Sequence, residues 1–197
     1  MKAGPRGTGT VVTLAMAAAW LLALQAGTAA GQQARGPQSI PSGEARIEAL
    51  FTPEDDAIGN IVAAVGKARH DIRVQAYLFT SRKLANALIR AQSTGVDVKV
   101  IVDQEQLEKG GVSVAAELAA GHVPIYLDGD HNNAHNKIIL IDAASDTPVV
   151  ITGSYNFTVA AQTRNAENVL IIRNWKSLAA AYRDNWDNHR KHSRPMQ

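Results

Sequence analysis

Residues 136–141, NKIILI, restrict the fold of this chain more than any other stretch. A strand with one face in water alternates apolar and polar side chains, and this run does not alternate cleanly. Such a strand belongs in the middle of a sheet with both faces covered. The rest of the chain must therefore supply two covering layers.

The first half supplies them by alternation. Apolar runs at 47–51, 71–79, 96–102 and 123–127 read as strands. Between them, residues 55–69, 82–93 and 113–120 carry apolar side chains at helical spacing, for example Ile58, Ile61, Val62 and Val65. After the polar loop 128–134, the turn SDTP at 145–148 makes a hairpin between 136–141 and 149–152. A loop or short helix follows at 158–163, then a strand at 167–172 and an amphipathic helix at 175–192. The expected architecture is α/β, a mixed, largely parallel central β-sheet flanked by helices on both faces.

The N-terminus reads as an address. Lys2 and Arg6 precede an uncharged, mostly apolar stretch at 11–24, and small residues follow at 26–30. Residues 1–30 are therefore expected to be a signal peptide, the apolar run being short for a spanning helix. Residues 31–43, rich in Gln, Gly, Pro and Ser, form a loose leader, and the domain occupies 44–197. The expected location is periplasmic or secreted, with no stable membrane association once the signal is cleaved. The chain has no cysteine, which excludes disulfides, thiolate metal sites and a cysteine nucleophile. Lys plus Arg number 20 against 18 Asp plus Glu, but Lys2 and Arg6 fall in the signal. The remaining charge is balanced, so any nucleic-acid affinity must come from local patches.

The chemistry lies in three short runs. HNKIILID holds His135, Lys137 and Asp142 at the spacing H-x-K-x-x-x-x-D; GSYNFT supplies Ser154 and Asn156; NAEN supplies Asn165, Glu167 and Asn168. Residues two apart on a strand share a face, so His135 and Lys137 can reach one phosphate. Asp142, five beyond Lys137, points to the other face, which suits it to fixing a turn or neighbouring backbone. Ser154 and Asn156 offer a hydroxyl and an amide to phosphate oxygens. Glu167 is expected to accept the ring N–H of His135, leaving the other nitrogen free to attack. Lys137 would stabilise the charge of a five-coordinate transition state. A metal reading would have to draw on Asp128, Asp130 and His131, whose spacing matches no familiar site.

These runs, with YLFTSRKLANAL at 77–88 and GVDVKVIVD at 95–103, resemble the phospholipase D superfamily, and most closely its small, single-motif bacterial endonucleases. The resemblance covers essentially the whole domain. It implies a phosphodiesterase that needs no metal and no cofactor. One copy of the motif implies a homodimer with its active site at the two-fold interface. One His135 attacks phosphorus to form a phosphohistidine; its counterpart protonates the leaving oxygen and then activates water. Lys137, Ser154 and Asn156 would bind the phosphate, Glu167 would orient the histidine, and Asp142, Asn165 and Asn168 would be structural parts of the motifs. The implied partner is a nucleic acid, DNA first and RNA second, cut with little sequence preference. The alternative is a phospholipase D acting on lipid by the same chemistry, although no long apolar insertion is evident to receive acyl chains.

The remaining aromatic and ionisable residues invite plainer readings. His131 is expected to be an exposed loop residue, and His70 and His122 to be incidental at element ends. The cations of 183–194 suit a solvated helix end. Trp175, Tyr182 and Trp186 share one helical face and are expected to pack in the core or at a dimer contact.

Overall fold

The computed structural model describes residues 45–197; the expected signal peptide and leader lie outside them. Eight strands make one sheet: β1 (Arg46–Thr52), β2 (Asp71–Ala76), β3 (Asp97–Asp103), β4 (Ile125–Asp128), β5 (Lys137–Ile141), β6 (Val149–Gly153), β7 (Glu167–Arg173) and β8 (Arg194–Pro195). Their order is β1-β7-β6-β5-β2-β3-β4-β8, so β5 sits well inside the sheet and all five of its residues are buried. The expected mixed α/β sheet is present. It is not largely parallel, however: among the named strands only β2–β3 and β3–β4 pair in parallel, and the other five strand pairings are antiparallel. Crossover helices impose parallel pairing in the first half, whereas the turn after β5 returns the chain beside itself.

Among the described residues there are six helices: α1 (Ala57–Val65), α2 (Arg82–Ser93), α3 (Gln104–Glu108), α4 (Ala115–Ala120), α5 (Val159–Thr163) and α6 (Lys176–His192). Strand alternation divides the core in two. Val74, Val100, Ile139 and Ile171 face a layer that includes Ile61, Leu84, Leu88 and Leu118 from α1, α2 and α4. Ile101, Ile138, Leu140 and Ile172 face the other layer, where α6 contributes Ala179 and Trp186. Trp175, just before α6, is buried with them and Tyr182 packs alongside, so these aromatics are core residues.

Local chemistry fixes where the helices begin. The Asp56 carboxylate accepts the Gly59 N–H, and the Ser81 hydroxyl accepts the Leu84 N–H. The strand expected to reach residue 79 ends at Ala76, because Phe79 N–H turns to the carbonyl of Gly111 and Phe79 bridges to Phe157. Among the described residues, no helix is long and apolar enough to cross a membrane.

Candidate active site

Sheet register gathers the candidate residues at one edge. Ala76 lies opposite Lys137, Ile138 opposite Thr152, and Gly153 opposite Val169. The start of β5 therefore meets the ends of β2 and β6 and the start of β7. Segments 135–137, 154–156 and 165–168 come together across strands distant in sequence. Gly153 permits the close approach of β6 and β7, since a Cβ there would lie 2.2 Å from the Asn168 carbonyl oxygen.

His135 is exposed just before β5, and Lys137 is buried as its first residue. Lys137 Nζ lies 3.0 Å from His135 Nδ1 and donates to the His135 carbonyl at 2.9 Å. An ammonium can only donate, so Nδ1 meets it as a lone pair and the neutral ring carries its proton on Nε2. Burial and the Lys137 charge push the His135 imidazole below its ordinary pKa, against a smaller opposing pull from Asp103. Burial pushes Lys137 down to about 8, with the Glu167 charge pulling the other way. Near neutral pH the pair is a free imidazole beside an ammonium. Those are the states wanted of a nucleophile and of an anion clamp.

A support beneath the pair was not identified as site residues from the sequence. The Tyr77 ring lies 4.3 Å from the His135 ring, centroid to centroid, and 5.0 Å from Lys137 Nζ. Its hydroxyl donates to Asn133 Oδ1 at 3.0 Å and accepts from Gln106 Nε2 at 2.9 Å. Buried Asp103 accepts the N–H of Gln106 at 2.8 Å and the N–H of Ala134 at 2.7 Å. Residues at the ends of β2 and β3 thus hold the loop that presents His135. The sequence signal was indirect, since Tyr77 and Asp103 lie within the stretches that carry the family resemblance.

The Glu167 expectation needs correction. Within the chain its carboxylate accepts from Ser154 Oγ at 2.6 Å and from Asn165 Nδ2 at 3.0 Å, rather than from His135. Pairing of β6 with β7 makes the Ser154 hydroxyl an immediate neighbour, while Lys137 occupies His135 Nδ1. Ser154 Oγ also accepts from Asn168, at 3.1 Å from the backbone N–H and 3.3 Å from Nδ2. The half-buried Asn156 has a side-chain oxygen with no hydrogen-bond partner.

Asp142 stands at the opposite end of β5, about 16 Å from Lys137 at the usual strand rise. Its backbone is left-handed, with φ 51°. Its carboxylate accepts the N–H groups of Arg69, His70 and Asp71 at 3.0, 2.7 and 3.0 Å. His70 contributes its backbone there. Asp130 is exposed and comes no nearer to a histidine than 3.9 Å, to His192, so the trio Asp128, Asp130 and His131 is not the grouping that forms.

Comparison with known proteins agrees with this geometry. Residues 61–190 match the family described as cardiolipin synthase, PLD-like domain, a span that includes every motif residue named above. A phospholipase D from Rickettsia typhi is 41% identical over 149 residues, 75% of this chain and 70% of the relative. Nuc from Salmonella typhimurium, a phospholipase D family member of known structure, superposes with a TM-score of 0.71 at 34% identity, covering 78% of this chain and 99% of Nuc. NucT from Helicobacter pylori shares the fold, with a TM-score of 0.68 at 19% identity over 78% of this chain and 100% of NucT. A histidine–lysine motif at the strand ends, on this fold and with these relatives, makes the chain a member of the phospholipase D superfamily, a phosphodiesterase with one copy of the motif in this sequence.

Proposed function

We propose that the chain is an exported, metal-independent endonuclease that cleaves DNA, and RNA secondarily, through a phosphohistidine in a homodimer. The observation that carries this reading is the single His135 beside Lys137. In-line displacement needs a free imidazole to attack and a protonated one to release the leaving oxygen, and one ring cannot be both at once. Two chains related by a two-fold axis supply both. When the phosphate draws Lys137 away, His135 Nδ1 becomes free to take the ring proton, and Nε2 gains the lone pair that attacks. The P–N bond forms, the P–O bond breaks, and the partner imidazolium protonates the departing oxygen. That partner ring then takes a proton from water, the hydroxide oxygen attacks phosphorus, and the P–N bond breaks.

Ser154, Asn156 and Lys137 bind the phosphate oxygens in this scheme, and Glu167 orients the site through Ser154 and through its charge on Lys137. Export is supported by the signal-like pattern of residues 1–30, which would direct the enzyme to the periplasm or outside the cell. The name of the Rickettsia relative favours a second reading, a lipid phosphodiesterase.

The test incubates mature protein with plasmid DNA and, separately, with phosphatidylcholine or cardiolipin vesicles, each with excess EDTA and beside His135→Ala. DNA cleavage that persists in EDTA and vanishes in the variant supports the proposal. Lipid turnover with intact DNA would establish the rival reading. A fully active monomer on a sizing column would defeat the shared site.

A further inference from the structure

Behind the loop that presents His135 lies a second set of ionisable side chains, unused by the chemistry above. Asp128 ends β4 and is completely buried. His131 follows three residues on, and His189 and His192 come from the last turn of α6, at a spacing that puts both on one helix face. His189 Nδ1 is 2.7 Å from Asp128 Oδ2, His192 Nε2 is 3.3 Å from the same oxygen, and His131 Nδ1 is 3.2 Å from Oδ1. The three ring centroids form a nearly equilateral triangle with sides of 5.0, 5.4 and 5.3 Å. One donor atom from each of the four residues lies within 4.8 Å of all the others.

We propose that Asp128, His131, His189 and His192 bind one divalent late transition-metal ion, with zinc as the best-fitting probe. Three imidazole nitrogens and one carboxylate oxygen are a borderline-soft set that suits zinc, nickel or copper. Magnesium and calcium prefer oxygen donors. Tetrahedral zinc, with bonds of about 2.0–2.1 Å, holds its ligand atoms roughly 3.3 Å apart. His189 and His192 already lie 2.7 and 3.3 Å from Asp128 Oδ2, and His131 lies 3.2 Å from Oδ1, so His131 must shift towards Oδ2 and the histidines must close on one another.

Charge and access fit as well. The cluster opens outward through His131, whose side chain is 48% exposed against 14% for His189. Beside it is a cavity of about 400 Å³ lined by Asp103, Glu105, Glu108, Asp128 and His131, an acidic approach for a cation. Each ring binds through an unprotonated nitrogen, and any imidazolium proton passes to solvent. The bound ion would clip the 128–134 loop to α6, two segments 61 residues apart in the chain. None of its four ligands is a residue used in the phosphoryl transfer proposed above.

Metal-stripped mature protein is titrated with zinc chloride by calorimetry, and with cobalt(II) by visible absorption. One zinc per chain is expected, with a midpoint of thermal unfolding raised by roughly 5–10 °C at a hundredfold excess over Kd. Cobalt should give the d–d bands of a tetrahedral site. His131→Ala and His192→Ala lie at the exposed side and should keep the metal-free fold by circular dichroism. Each should weaken zinc by more than the roughly 10–100-fold that loss of an outer-shell partner costs. His135→Ala should bind zinc like the parent, which separates this site from the nuclease reading. Zinc binding that is absent from the parent, unchanged in both variants, or matched by magnesium overturns the proposal.

Discussion

The two ends of β5 carry the charged residues of one motif and treat them in opposite ways. At the Asp142 end the carboxylate is saturated by three consecutive backbone N–H groups. At the Lys137 end the polar groups are positioned yet left open. His135 is exposed, the Asn156 oxygen is buried without a partner, and the Lys137 ammonium hydrogen-bonds only to His135, with the Tyr77 ring 5.0 Å away. A saturated group holds a fold, whereas an oriented and unsatisfied one is ready for a ligand. Substitutions at the two ends should therefore fail in different currencies, turnover at one and stability at the other.

The largest effect is expected at His135. His135→Ala removes the nucleophile and, in a dimer, the acid as well. Turnover of plasmid DNA should fall by about 10⁴-fold or more, with the thermal midpoint unchanged. A variant that unfolds early but keeps its turnover would show that the two ends do not divide the labour in this way.

Next comes Lys137, through pH. With bis(p-nitrophenyl) phosphate, whose leaving group departs without a proton, the profile reports the nucleophile and the clamp alone. His135 is depressed, so the free base persists below its ordinary range and the acid limb should lie below about 6.5. Lys137 loses its charge as pH rises through about 8, so the alkaline limb should fall there. Lys137→Arg keeps the charge and should abolish that limb while lowering kcat by about 10²–10³-fold through misplacement. A limb near 8 that survives in the arginine variant belongs to another group.

At the far end, Asp142→Asn exchanges an anion for a neutral amide facing three donors. The expected cost is about 1–3 kcal/mol of stability, read as a lower midpoint in thermal or urea unfolding. Turnover measured well below the midpoint should remain within about twofold of the parent. A loss of turnover comparable to that of Lys137 variants would mean that Asp142 reaches the phosphate after all.

This division was partly legible in the sequence. Parity within one strand separates Lys137 from Asp142, and an unbroken apolar run puts β5 inside the sheet. Both are local patterns. What stayed hidden depends on which strands become neighbours. The partners of Glu167 follow from β6–β7 register, and the place of Tyr77 beneath His135 follows from β2–β5 register. Helix α3 lies in the polar stretch QEQLE, with no apolar stripe to announce it. His189 and His192 read as a solvated helix end because Asp128, the residue that collects them, is 61 positions away from His189.

The smallest effect tests the support beneath the open end. Tyr77→Phe keeps the ring against His135 and removes only the hydroxyl, leaving Asn133 Oδ1 and Gln106 Nε2 without that partner. Neither residue is buried, so water replaces much of what is lost, and the cost should be about 0.5–1.5 kcal/mol. The loop that presents His135 retains its anchor from Asp103 to Ala134 N–H. Turnover should therefore drop less than about tenfold, a loss of positioning rather than of chemistry. Steady-state kinetics beside a thermal melt decides it. If kcat falls as far as in His135→Ala while the melt hardly moves, the tyrosine hydroxyl exchanges protons with the reacting groups. The support would then be part of the chemistry, and the open end would hold one more catalytic group than His135 and Lys137.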